Sequence, residues 1–259
     1  MPNAKIERLK KFYQRNKALV TSPFIDSELN VNNLLFQRVR KTLSINFQDK
    51  RIIDLGCGTG VLSTLFSDHR HYTGIDLNKR QDFNMLSDKK TSFVQGNAVE
   101  LPFATDSADV VICMDSFEHF PNPQQAVLEI KRILDRKGVV FMSVPTYANV
   151  AGMVKWWSEE YGRYQKNTWA PFDFWKSEEL EHFITPIKIR NFFERAGFRS
   201  FNIMGYPSEV VVGLFPWVWH PKIQGKIAAL ITFLFRLIAE PVCKIWPASS
   251  LHTFWKIEK

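Results

Sequence analysis

A short apolar run, Arg51-Ile52-Ile53-Asp54-Leu55, breaks off in Gly56-Cys57-Gly58-Thr59-Gly60. A strand that runs into three closely spaced glycines and then a helix start forms a bend that a small molecule can approach closely. Twenty positions after Gly56, a second short strand, 72–76, ends in Asp76. A carboxylate there can bind both hydroxyls of a ribose. A glycine cluster alone is often just a turn. A dinucleotide site of the G-x-G-x-x-G kind would need glycine at position 61, which is Val61. Asp54, ahead of the bend, would repel a pyrophosphate and attract a positively charged amino-acid moiety.

The flanking sequence reads as alternating strands and helices. Strands are expected at 51–55, 72–76, 92–95, 109–114 and 138–144, with a helix opening at 61–67 and another helix over 124–134. The latter places Ala126, Val127, Ile130, Ile133 and Leu134 at helical spacing. The near-continuous Val/Ile character of the strands is that of a parallel sheet covered on both faces. Pro145 should stop the fifth strand. Residues 3–20 and 29–45 read as amphipathic helices broken by Thr21-Ser22-Pro23. A helix is expected over 186–197, ending at Gly197, with strands at 198–204 and 252–257. The expected fold class is therefore α/β, a doubly wound, Rossmann-like sheet. Its divisions are an N-terminal helical cap (1–48), a core (49–145), an aromatic lid or acceptor region (146–185), and the rest of the core (186–259) carrying an apolar helical insert at about 210–247.

The 259 residues suit one large domain with insertions. Three cysteines without C-x-x-C spacing argue against a disulfide framework or a zinc site, so no metal is expected. A reducing, cytoplasmic setting follows, and residues 1–17 lack the apolar core of a secretory signal. The formal charge of +8 favours anionic company. The 22 Phe and 8 Trp exceed what an ordinary core uses, which points to a large apolar pocket or a lipid-facing surface.

Several ordered segments carry a resemblance. Asp54 to Gly60 resembles the first motif of class I S-adenosylmethionine-dependent methyltransferases, in their small-molecule, type 11-like branch. Gly74-Ile75-Asp76-Leu77-Asn78 resembles the second motif, and Gln95 to Phe103 the third-strand motif. Ala108 to Asp115 with Phe117-Glu118-His119-Phe120 resembles the fourth strand and its exit loop, 130–139 the approach to the fifth strand, and 182–198 the late helix. The resemblance implies a mainly parallel sheet whose last strand is antiparallel, with S-adenosyl-L-methionine as cofactor. It further implies that Gly56, Cys57, Gly58 and Gly60 pass under the methionine part. Asp76 with Leu77 would hold the ribose, Asn97 and Ala98 bracket the adenine, and Asp54 and Asp115 lie toward the methionyl end. The family usually has Asp where this chain has Asn97, whose amide can still both accept and donate.

Methyl transfer to a hydroxyl or amine benefits from a base. His119, at the carboxyl edge of the fourth strand, is the first candidate, set against a histidine that merely braces its loop. Tyr161 is a candidate in the acceptor region, with Tyr164, His182 and Tyr147 behind it. Residues 210–246 interleave Phe215, Trp217, Trp219, Phe233, Phe235 and Trp246 with Lys222, Lys226, Arg236 and Lys244. That mixture suits an interfacial helix on anionic lipid, or a helical insert that covers the site or forms a dimer. The apolar run 227–235 is too short to span a bilayer. The expected activity is methyl transfer to a small or lipid-linked acceptor, O- or C- ahead of N-, with a peripheral place at a membrane open to it and the oligomeric state unassigned. The rivals are a membrane-associated, non-catalytic protein that keeps the fold and, less favoured, a nicotinamide oxidoreductase. Nucleic acid is disfavoured as a substrate, for want of an Asn/Asp-Pro-Pro-aromatic tetrapeptide or an RNA-binding module.

Overall fold

In the computed structural model, the structure describes residues 2–15, 30–66, 68–78, 86–160, 181–219 and 225–259. In chain order the elements are α1 (Pro2–Arg15), α2 (Asn30–Thr42), β1 (Arg51–Leu55), β2 (His71–Asp76), β3 (Thr91–Gln95), β4 (Ala108–Met114), α3 (Pro123–Ile133), β5 (Leu134–Pro145), α4 (Val150–Glu160), α5 (Pro186–Arg195), β6 (Ser200–Gly205), α6 (Val210–Leu214), α7 (Lys226–Ile245) and β7 (His252–Glu258). The expected helix at 61–67 is a five-residue 3-10 turn, Val61–Leu65, closed by Phe66 in an extended conformation.

The seven strands found among the described residues form a sheet ordered β3-β2-β1-β4-β5-β7-β6. β1 runs parallel to β2 and β4, β2 to β3, and β4 to β5. β1 and β4 bury nearly every residue, as strands covered on both faces must. The order reverses between β1 and β4, and α/β sheets open a crevice at the carboxyl ends of such a pair. Asn122 starts α3 by accepting a bond from the Gln125 N–H (3.1 Å), with Pro123 in the first turn. Leu134 ends α3 and opens β5 four residues before the expected start. It pairs with Ala108 across an irregularity in the β4–β5 ladder.

The chain divides into two compact units. The first comprises Met1–Ser143, Asn191–Asn202 and Trp255–Lys259. Its core includes an aromatic cluster in which Phe36 of α2 lies 5.6 Å from Phe141 of β5 and Phe47 lies 4.6 Å from Phe66, ring to ring. The second comprises Val144–Arg190 and Ile203–Phe254. There Tyr147, Ala151, Val211, Val212, Val218 and Leu251 form a core against which Ala228, Ile231 and Phe235 of α7 pack. The Asn149 amide holds this unit's chain segments together by donating to the carbonyls of Thr146, Ala248 and Ser250.

Candidate active site

The bend after β1 is built from left-handed backbone. Gly56 has φ +72°, Gly58 +55° and Gly60 +78°. A Cβ on Gly56 would lie 2.6 Å from the Ser116 Cβ, and one on Gly60 would lie 2.4 Å from the Phe93 ring. The Gly56 and Cys57 N–H groups both donate to the Ile75 carbonyl (2.8 and 3.1 Å), and this anchors the bend to β2. Gly60→Ala should cost about 2 kcal/mol, combining left-handed strain with overpacking. Chemical denaturation measures this, and an unchanged midpoint would contradict the geometry.

Asp76, at the end of β2, faces this bend. One carboxylate oxygen accepts from the Gly58 N–H (3.0 Å) and the other from the Asn78 N–H (2.9 Å). The second-strand carboxylate and the first-strand glycines therefore meet directly. Beyond them, a cleft of about 450 Å³ is lined by Leu77, Gln95, Gly96 and Asn97, and by Ile6, Glu7 and Lys10 of α1. Its volume lies within the range of small-ligand sites. Gln14 of α1 donates to the Asn78 side chain (3.1 Å), which ties that helix to the loop after β2. The Asn97 side-chain oxygen accepts from the Val99 N–H (3.2 Å), and a second lone pair on a carbonyl oxygen can serve another donor. Ala98 follows in the same tight turn, closed by the Glu100 N–H on the Asn97 carbonyl (3.1 Å).

Asp54 takes a position the sequence did not suggest. It is only 2% exposed, and its carboxylate accepts from the Tyr72 hydroxyl (2.5 Å) beneath the bend. Burial pushes its pKa up to about 7; the Tyr72 hydrogen bond opposes the rise and the nearby Asp76 charge adds to it. The same burial raises the Tyr72 phenol well above its usual value. A carboxyl group with a pKa near 7 folded and 3.8 unfolded holds a proton that the unfolded chain releases. Its stabilising contribution is therefore full below about pH 4 and lost by about pH 7. Asp54→Asn, neutral throughout, should gain on the native chain by a few kcal/mol across that interval. Parallel melting curves against pH would contradict this.

The loop after β4 forms the facing wall. Asp115 adopts φ +44°. Its N–H donates to the Ser143 carbonyl (3.1 Å), and its carboxylate accepts from the Ser143 hydroxyl (2.7 Å). Ser116 donates from its hydroxyl to the Leu55 carbonyl (2.7 Å), joining the β4 loop to the end of β1. His119 ends the short turn Phe117–His119, largely buried, with Nε2 3.7 Å from a Glu118 carboxylate oxygen. In the second unit, the Tyr147 hydroxyl donates to Glu181, which also pairs with the buried Lys155 (3.1 Å). His182 is half-buried beside Glu181 in sequence. Tyr161 and Tyr164 lie outside the described residues.

The structure thus gathers Gly56, Cys57, Gly58, Gly60, Asp76, Asp115 and His119 around the carboxyl ends of β1, β2 and β4. Leu77 and Asn97 line the adjoining cleft. Ser116, Ser143 and the α1 residues escaped the sequence reading. A single serine, in the β4 loop or within β5, carries no distinctive pattern, and α1 read simply as an amphipathic cap.

Comparison with known proteins matches residues 53–142 to the family described as "Methyltransferase domain". This segment is a methyltransferase domain of the class I, S-adenosylmethionine-dependent kind. A ubiquinone biosynthesis O-methyltransferase of Aromatoleum aromaticum is 34% identical over 103 residues, 36% of this chain and 43% of that protein. A demethylmenaquinone methyltransferase of Thermotoga maritima is 26% identical over 174 residues, 60% of this chain and 73% of that protein. The alignment with the first of these spans less than half of that relative's length. A solved S-adenosylmethionine-dependent methyltransferase of Thermotoga maritima covers 99% of both chains with a TM-score of 0.56 at 14% identity, a likeness of fold. The methyltransferase domain coincides with the part of the first unit that carries the glycine bend, Asp76 and the β4 loop.

Proposed function

We propose that this chain transfers a methyl group from S-adenosylmethionine to an oxygen or carbon of a small or lipid-linked acceptor. The observation that carries this reading is the direct meeting of the glycine bend with Asp76, next in sequence to Leu77, which lines the cleft of about 450 Å³. In it, Asp76 and Leu77 hold the ribose. Asn97 and Ala98, flanked by Ile6 and Lys10, enclose the adenine. Gly56, Cys57, Gly58 and Gly60 underlie the methionine part. Asp115 gives that end a negative field suited to an ammonium group, while Asp54, buried against Tyr72, supports the bend from beneath. S-adenosylmethionine brings a methyl carbon already activated by its sulfonium, so the protein chiefly positions, desolvates and removes a proton.

His119 takes the acceptor's proton where the nucleophile is a hydroxyl. His119→Gln is then expected to lower kcat about a hundredfold while leaving cofactor affinity intact. An unchanged kcat would return His119 to a loop-bracing role. Tyr161 is retained as an acceptor-region residue whose replacement should raise the acceptor's KM.

The matched relatives are named for ubiquinone and demethylmenaquinone chemistry. Phenolic rings bearing apolar tails are therefore the acceptors to try first. An acceptor of that kind would place the enzyme at the periphery of a membrane. The decisive experiment titrates the protein with S-adenosylhomocysteine and then follows labelled methyl transfer to short-tailed hydroquinones. Micromolar binding with transfer supports the proposal. Absence of cofactor binding would instead favour a non-catalytic protein that keeps the fold.

A further inference from the structure

Helix α7, Lys226–Ile245, buries one side and leaves another apolar side open. Ala228, Ile231, Phe235, Ala239, Val242 and Cys243 recur at helical spacing and pack into the second unit. A second stripe, Ile227, Leu230, Leu234, Leu237, Ile238 and Ile245, also recurs at three-, four- and seven-residue steps. Its members are between 47% and 87% exposed. Over the 20 residues of the helix the stripe runs for roughly 30 Å. Water-facing helices normally place charge there, so an uninterrupted apolar stripe of this length marks a contact surface.

We propose that this stripe docks the protein flat on an anionic lipid bilayer. Lys226 and Lys244 stand at the two ends of one margin, with Arg236 and Glu240 between them. Lysines in such places extend their ammonium groups to phosphate headgroups while their stems follow the apolar contact. Trp246, directly after the helix, and Trp217, in the short turn Pro216–Trp219 packed beside it, are both substantially exposed. Indole rings settle at the level of lipid headgroups. Among the described residues no helix is long and apolar enough to cross a membrane. Arg236, Glu240 and Lys244 account for that in α7, and they suit a helix lying in the interface rather than through it.

A second copy of the chain fits the stripe less well. Two α7 helices packed antiparallel about a two-fold axis would bring Lys226 of each toward Lys244 of the other. Packed parallel, they would align lysine with like lysine. Either arrangement opposes cations at both ends of the seam, whereas lipid phosphate satisfies all of them.

The docking surface stands on α7 and the two tryptophans beside it and does not depend on the acceptor's identity. The test is co-sedimentation of the full chain with phosphatidylcholine vesicles, with and without phosphatidylglycerol, alongside Leu234→Glu/Leu237→Glu. Both side chains are exposed, so the double variant should keep its fold, checked by circular dichroism and by its binding of S-adenosylhomocysteine. The native chain should sediment with the phosphatidylglycerol vesicles and be released in part by high salt. The double variant should lose vesicle affinity at least about tenfold. Three results would overturn the proposal. One is no vesicle binding by the native chain, another is equal binding by both proteins. The third is a dimer that the double substitution dissociates, with no lipid binding. Failure of cofactor binding in the native chain would instead sink the methyltransferase reading and leave the vesicle result untouched.

Discussion

Replacing Asp76 with Ala is expected to weaken S-adenosylhomocysteine binding by about a hundredfold to ten-thousandfold. A carboxylate gripping two hydroxyls makes two charge-assisted hydrogen bonds, each worth about 1.5–3 kcal/mol. Asp76 already accepts from the Gly58 and Asn78 N–H groups. Each carboxylate oxygen has a further lone pair for a ribose hydroxyl, so the same group can set the bend and read the sugar. Its removal should therefore act twice, on direct contact and on the fixed path of the glycines. Calorimetric titration of the native and Asp76→Ala proteins measures this. Equal affinities would end the case for a nucleoside in the cleft. Asp76→Asn should fall between them in fold stability but not recover the affinity, because its amide turns a donor toward one of the two N–H groups.

The second large effect concerns stability. Lys155 is 1% exposed, pairs with Glu181 at 3.1 Å and lies 5.2 Å from the centre of the Tyr147 ring. Glu181 also accepts the Tyr147 hydroxyl. Glu181→Ala would take this carboxylate away from a buried ammonium, and breaking a buried ion pair costs about 3–5 kcal/mol. Urea denaturation should show that loss. Replacing both charged partners together, Lys155→Met with Glu181→Leu, should recover much of it, since well-packed apolar pairs often equal a buried ion pair. A loss under about 1 kcal/mol for Glu181→Ala would mean that the lysine finds solvent or another partner.

Much of the architecture was legible in the sequence because buried parallel strands leave no polar interruptions. β1, β2 and β4 came out within a residue or so of their observed limits for that reason. β5 was read short because Asp135, Arg136 and Lys137 disguise its first residues, although Leu134 pairs with Ala108. The apolar run at 227–235 ends at Arg236, yet α7 continues to Ile245 with Pro241 inside it. Charges on an exposed helical face interrupt hydropathy without interrupting the helix. At the site, Gly56, Gly58, Gly60 and Asp76 announced themselves because few other residues can adopt or fill those positions. Asp54 was legible as an acidic neighbour of the bend, but its burial against Tyr72 was not. That contact joins adjacent strands eighteen residues apart, and nothing local encodes it. The α1 side of the cleft depends on tertiary packing alone.

Ser116 has a further consequence. Its hydroxyl is bonded to the backbone of β1, and its Cβ fills the space a side chain at position 56 would need. On the proposed function, the floor under one reactant and the wall facing the other would therefore be a single mechanical part. If the proposed roles hold, residues 115–119 could not be reshaped toward a new acceptor without disturbing the grip on the methyl donor, so new acceptor specificities should arise more readily from segments that this serine does not clamp.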